Sequence, residues 1–248
     1  EIATLKLSNP GRLNSLSRSM WIELAQAIAD LQSRPTLRCI VITGASPDAF
    51  AAGSDIREFK TDRANITQAA EYGKVVSDGV EALANCPVPM VAMIRGTCVG
   101  GGLVVASTCD IRICGESSRF GVPVNKLGLV MAHAEMRGLH ALVGPVVLRE
   151  ILLEGRVFGA DEALRKGIVN RVVADGEVEK EALAVAARIA RGAPLVARWH
   201  KKFIDRLADP APLSEAETNE GYACFGTQDY QIGLEAFLAK AEPKFKGE

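Results

Sequence analysis

The chain has 248 residues, 48% of them hydrophobic and 24% charged, which is enough apolar material for a full core and a length suited to one larger domain or one domain with an appendage. Lys and Arg total 29 against 30 for Asp and Glu, and no basic run exceeds Lys201-Lys202, so composition argues against a nucleic-acid partner and leaves a small anionic ligand open. Six cysteines lie in apolar stretches with no C-x-x-C pair and no His at ligand spacing, which argues against zinc and predicts small buried thiols in a reducing compartment.

The first segment, "IATLKL" (Ile2 to Leu7), alternates like a half-buried strand and ends at the turn signal Asn9-Pro10-Gly11. Met20, Leu24, Ala27, Ile28 and Leu31 then repeat at helical spacing, with Ser17 placed to cap the start and Pro35 forbidding continuation. The β-branched run "LRCIVIT" (Leu37 to Thr43) predicts a buried strand, followed by a loop, "GASPDAFAAGSD". Ile66, Ala69, Ala70, Val76, Val80 and Leu83 predict a helix across Ala64 to Asn85, bracketed by Pro87 and Pro89 before the strand "PMVAMI" (Pro89 to Ile94). After "CVGGGLVVASTCD" (Cys98 to Asp110), "DIRIC" is again strand-like, and from Glu135 onward the pattern is almost wholly helical: 135–143, 145–153 with Gly155 as stop, 160–166, 178–190, 194–207, and 214–238 with an interruption near Gly226. Strands alternating with helices, then helices alone, predict an α/β core over residues 1–190 and a helical region over 191–248. No internal repeat of fixed period is visible, no apolar stretch is long enough to span a bilayer, and the opening residues carry no signal-peptide pattern, so no membrane association is expected and the cytoplasm is the expected compartment.

Gly100, Gly101 and Gly102 sit between a strand and a short apolar helix, whose first backbone N–H groups lack intrahelical partners and favour negative charge. A dinucleotide G-x-G-x-x-G motif fits only in part, since Val105 stands where the third glycine belongs; close packing of helix on strand is the plain alternative to a ligand role. A second small-residue turn, "AFAAGSDIREF" (Ala49 to Phe59), also follows a buried strand. Two such turns in one α/β domain are able to aim two N–H donors at one oxygen, as an oxyanion hole does.

At these residues the chain resembles the crotonase superfamily, the enoyl-CoA hydratase and isomerase family, over nearly its full length. The matching pieces are "NPGRLNSLS", "AFAAGSDI", "VGGGLVVASTCDIRI", "RFGVP", "LLEGRVFGADEALRKGIVNRVV" and "GLEAFLAKAEPKFKG". The resemblance implies stacked ββα turns in a spiral, trimers or dimers of trimers, and an acyl-CoA thioester substrate, with no permanently bound cofactor and coenzyme A entering as part of the substrate. It places the oxyanion N–H groups on Ser54 and Gly101, and Leu13, Ala51, Gly53, Asp55 and Ile56 around the substrate. Arg12, Arg57 and Lys60 fall on or near the loops around coenzyme A, and Lys240 matches a C-terminal lysine offered to the nucleotide across a subunit contact. For Lys60 a plain surface role is the preferred reading.

Two departures from the family pattern bear on chemistry. Val104 and Val124 occupy the positions at which hydratases of the family carry glutamates; neither is able to give or take a proton, so ordinary hydration is not expected. Where relatives carry a Pro-Gly-Ala-Gly-Gly-Thr-Gln-Arg-Leu run, this chain has "MAHAEMRGL" (Met131 to Leu139), which offers His133 and Glu135 as replacement acids or bases. Helix capping and the helix dipole explain the same two residues without catalysis. Asp55 reads as a loop-fixing residue. Glu71 and Tyr72 lie on the helix that would line the acyl pocket, where a solvated or core face accounts for them equally well, and Asn125 and Lys126 need not face the pocket. His140 and His200 fall in helical patterns and read as structural. The expected protein is an acyl-CoA-processing lyase or isomerase; the alternative is a non-catalytic acyl-CoA-binding or scaffold protein.

Overall fold

A computed structural model describes residues 1–248. The chain begins with β1 (Ile2–Leu7) and α1 (Arg18–Gln32), whose N-cap Ser17 accepts a hydrogen bond from the Met20 N–H at 3.2 Å. Three ββα turns follow. The first is β2 (Cys39–Gly44), β3 (Ala49–Ala51), the short α2 (Phe59–Asp62) and α3 (Ile66–Ala84); the second is β4 (Met90–Ile94), β5 (Thr97–Val99) and α4 (Gly101–Thr108); the third is β6 (Ile111–Gly115), β7 (Arg119–Gly121) and α5 (His133–Glu154). Then come β8 (Val157–Gly159), α6 (Ala160–Arg165), β9 (Arg171–Val173), α7 (Val178–Arg191), α8 (Pro194–Arg206), α9 (Glu215–Glu220) and α10 (Gln228–Ala239).

Each turn sends its first strand into one sheet and its second into another, which generates a spiral of ββα turns as the resemblance implies. The five-stranded sheet has the order β1-β2-β4-β6-β9 and is parallel throughout; the four-stranded sheet has the order β3-β5-β7-β8, with β8 antiparallel to β7. The large sheet is covered on both faces, which explains its unbroken apolar runs. Ile40, Ile42, Met90, Ala92 and Ile94 face the main core, while the alternating Cys39, Val41, Val91, Met93 and Ile113 face Val178, Ala182, Val185 and Ala186 of α7.

The main periodic elements stand where their patterns predict. The expectation of an almost wholly helical chain after Glu135 is corrected by β8 and β9, and the supposed loop after β2 contains β3. Each is three residues long, too short for a period-two signal to rise above its neighbours. The two helices expected over 135–153 join as α5, broken at Gly144 (φ 67°) just before Pro145, with Gly155 as a left-handed C-cap. The C-terminal segment folds back on the core: Lys201 Nζ lies 3.1 Å from Asp110, Arg38 donates to the Phe245 carbonyl, and buried Asp229 accepts from the Lys246 and Gly247 N–H groups at 2.6 and 2.9 Å. No helix is long and apolar enough to cross a membrane.

Candidate active site

The two small-residue turns pack backbone to backbone. A Cβ on Gly102 would stand 2.2 Å from the Ala51 carbonyl oxygen, so a side chain there would drive β3 and α4 apart, and one on Gly100 would stand in ordinary contact, 3.5 Å from the Gly53 Cα. Gly53 (φ 99°) and Gly100 (φ 50°) bend the chain through conformations that L side chains rarely adopt.

This packing places the peptide joining Gly53 to Ser54 beside the start of α4: a Cβ on Gly101 would lie 3.7 Å from the Gly53 carbonyl carbon, and one on Gly53 would lie 3.9 Å from the Gly101 nitrogen. Leu16 and Ser54 form an isolated parallel bridge in which the Leu16 N–H donates to the Gly53 carbonyl (2.7 Å) and the Asp55 N–H donates to the Leu16 carbonyl (2.9 Å). Successive amides of an extended segment point to opposite sides, so the Ser54 N–H is directed away from Leu16, and it donates to no protein acceptor. On the other turn the Gly100 N–H is used on the Gly121 carbonyl (2.9 Å), and Gly101 becomes the first helical amide, without an intrahelical acceptor.

The segment 13–16 braces this arrangement from outside. The Leu13 carbonyl accepts from the Ala52 N–H (3.0 Å), and the buried Asn14 donates its side-chain amide to the Ala49 carbonyl (2.8 Å). Leu13 and Asn14 both adopt left-handed backbone to do so. Beyond Ser54, buried Asp55 caps a short 3₁₀ turn through the Arg57 N–H and accepts from the Arg57 guanidinium at 2.9 Å. Those hydrogen bonds, the side-chain one first, hold the Asp55 carboxyl down at about 2 against the opposing effect of burial. Arg12, Leu13 and Ile56 are exposed on the loops around the two amides.

Val104, one turn into α4, is fully buried; Val124, on the 3₁₀ turn Pro123–Leu127, is partly buried and packs against the same core. His133 is exposed at the first position of α5. Glu135 turns its carboxylate back onto the Ala132 N–H (2.9 Å), capping that helix. Lys240 is exposed in the left-handed cap of α10, and Asn125 is occupied in donating to the Leu153 carbonyl at 3.0 Å. A cavity of about 450 Å³ lies elsewhere, between the end of α3 and α8, beside Cys86, Arg198 and Trp199; its Lys201 and Lys202 are paired with Asp110 and Glu220.

Two supporting residues escaped the sequence reading. The Leu16 side chain and the Trp21 ring both pack under Gly101, at 3.3 and 3.4 Å from where its Cβ would stand. Nothing in a helical apolar stripe distinguishes a tryptophan that fills the core from one that backs a functional turn.

The family model described as enoyl-CoA hydratase/isomerase matches residues 1–248. Among curated relatives, a probable mitochondrial enoyl-CoA hydratase 2 of Arabidopsis thaliana is 32% identical over 99% of this chain and 82% of its own length, and the crotonyl-CoA hydratase of Syntrophomonas wolfei is 30% identical over 99% and 94%. Among solved structures, an enoyl-CoA hydratase/carnithine racemase from Magnetospirillum magneticum matches with a TM-score of 0.98 at 48% identity, covering 100% of this chain and 92% of the other. A putative enoyl-CoA hydratase/isomerase family protein from Hyphomonas neptunium matches with a TM-score of 0.93 at 35% identity, over 98% and 93%.

Proposed function

The chain belongs to the enoyl-CoA hydratase/isomerase family, and from that membership we propose that it binds an acyl-CoA thioester and stabilises negative charge on the thioester oxygen with the Ser54 and Gly101 N–H groups. The observation that carries this is the adjacency of two peptides whose amides are left without partners by the Leu16 bridge and the helix start. A preorganised donor of this kind contributes about 2.7–4 kcal/mol to an oxyanion transition state. Ala51, Gly53 and Asp55 hold the turn, Leu13, Ile56 and Val124 offer apolar surface to the acyl and pantetheine parts, and Arg12 and Lys240 take the nucleotide; Val104, expected against the substrate, is fully buried in the core and backs the site from within.

The chemistry is a lyase or isomerase reaction through an enolate or tetrahedral oxyanion, with His133 as the freer acid or base, because Glu135 is committed to its helix cap. Hydration in the family's manner is not part of this reading, since valines stand at both glutamate positions. The same valines and the committed Glu135 favour a second reading, a binder without turnover. In this proposal residues 1–190 form the acyl-CoA-binding core and 191–248 the subunit-contact region of a homotrimer or a dimer of trimers; Ile204, Phe237 and Leu238, at 67, 82 and 73% exposed, are the apolar surface that such a contact would cover.

A mass-spectrometric screen of acyl-CoA thioesters tests the proposal. The expected result is one product that the His133→Ala protein no longer makes. Tight thioester binding with no product favours the binder, and absence of affinity for every thioester overturns both readings.

A further inference from the structure

We propose that Trp21, working with Leu16, is a positioning residue for the paired amides: its ring sets how far the Gly101 N–H stands from the Ser54 N–H, and so how strongly a bound thioester carbonyl is polarised. This rests on the reading of those amides given above and adds the element that holds them in register.

One short segment reaches both halves of the site. The Leu16 backbone grips the Gly53 carbonyl and the Asp55 N–H, on either side of Ser54, while its Cδ1 lies 3.3 Å from the Cβ position of Gly101. Five residues later, in the first turn of α1, the fully buried Trp21 fills the gap between α3 and the first residue of α4. Its Cε3 lies 2.8 Å from the Cβ position of Gly79 on α3, and its Cζ2 lies 3.4 Å from that of Gly101. These two atoms are opposite corners of the six-membered ring, so that ring is the spacer between the helices, and both of its neighbours are glycines.

The indole Nε1 has no hydrogen-bond acceptor, so no polar contact holds the ring and its place is decided by shape. A buried donor left unpaired is costly, and a phenylalanine would avoid that cost. What the phenylalanine lacks is the second ring, the one that meets Gly79 and Gly101. Closely packed interiors pass displacement on to their neighbours, so a change on the Gly79 side of the spacer is felt at the amide on the other side.

The test uses the full chain with crotonyl-CoA carrying carbon-13 at the thioester carbonyl, read by infrared difference spectroscopy beside calorimetric affinity. In the wild type, binding moves the carbonyl band to lower frequency. Trp21→Phe, which vacates the spacer, and Gly79→Ala, which pushes on Cε3, are expected to bind within about tenfold of wild type but to lose at least half of that shift. Ile22→Ala, on the exposed face of the same helix, keeps it in full. Trp21→Ala is avoided because emptying so large a buried site risks unfolding. If Trp21→Phe and Gly79→Ala melt earlier yet the bound thioester shows the full wild-type shift, Trp21 only fills the core and the inference fails. A wild-type band that does not move on binding overturns the amide reading itself, and this inference with it.

Discussion

Replacing Gly102 with Ala gives the sharpest test of the site, because the added methyl meets backbone and not a movable side chain. Its Cβ would stand 2.2 Å from the Ala51 oxygen and 2.9 Å from both the Ala51 carbonyl carbon and Cβ. Restoring ordinary contact requires β3 and α4 to separate by about 1 Å. Gly102 does not occupy the left-handed region, so the effect is steric and not a matter of backbone strain. Overpacking of this kind costs about 1–3 kcal/mol, and in a chain of this size each kcal/mol lowers Tm by about 2–4 °C. The same separation carries Gly101 away from the strand that leads to Ser54, so one of the two hydrogen bonds proposed to a shared oxygen should be lost, for about a 10²–10³-fold loss of oxyanion stabilisation. Acetoacetyl-CoA reads this directly, because its enolate absorbs separately from the keto form. The wild type should enrich the bound enolate at a pH where the free thioester is mostly keto, and Gly102→Ala should abolish that enrichment. Gly73→Ala is the control: it adds a methyl with nothing within 4 Å on an exposed face of α3 and should stabilise slightly, by about 0.5–1 kcal/mol. Equal enolate enrichment in wild type and a folded Gly102→Ala protein would refute the reasoning.

Crotonyl-CoA should not be hydrated measurably, since Val104 and Val124 offer no proton donor or acceptor; rapid loss of the enoyl absorbance on mixing would contradict this. The Asp55 carboxyl is depressed to about 2, chiefly by its hydrogen bonds from the Arg57 side chain, so the stability it confers is complete above its unfolded value near 3.8 and disappears as pH falls toward 2. Asp55→Asn should therefore flatten the acid limb of a plot of Tm against pH between those values, and an unchanged limb would remove the carboxylate from the account. Glu135→Ala should cost about 0.5–2 kcal/mol through the lost cap of α5, with Glu135→Gln recovering most of it in a thermal melt; full loss with Gln would point to the charge instead. Burial pushes the Cys39, Cys109 and Cys114 thiols up to about 12 and raises those of Cys86 and Cys98, so native protein at pH 8 should label with maleimide at the partly exposed Cys224 alone, and at all six cysteines in denaturant.

The elements legible in the sequence are those whose signal is local and long enough to repeat. Ser17, the Met20-Leu24-Ala27-Ile28-Leu31 stripe and Pro35 define α1 without reference to the rest of the chain, and the runs around Ile40 and Val91 announce buried strands. The two glycine-bearing turns were visible as candidates for free amides, because a missing Cβ and a helix start are properties of the segment itself, and the resemblance carried by the same motifs supplied the pairing of Ser54 with Gly101.

What only the tertiary structure decides is which segments meet. Strands β3, β5, β7, β8 and β9 exist because neighbouring backbones supply their hydrogen bonds, and three residues hold too little side-chain pattern to declare that in advance. Glu135 reads equally as a catalyst or a cap until the Ala132 N–H is found beneath it, and Trp21 reads as ordinary core until Gly79 and Gly101 appear on either side of its ring. The division follows from the range of the forces: dihedral preference and hydrophobic period act within one element, whereas contact distance, register and the presence or absence of a hydrogen-bond partner arise only when remote parts of the chain are brought together.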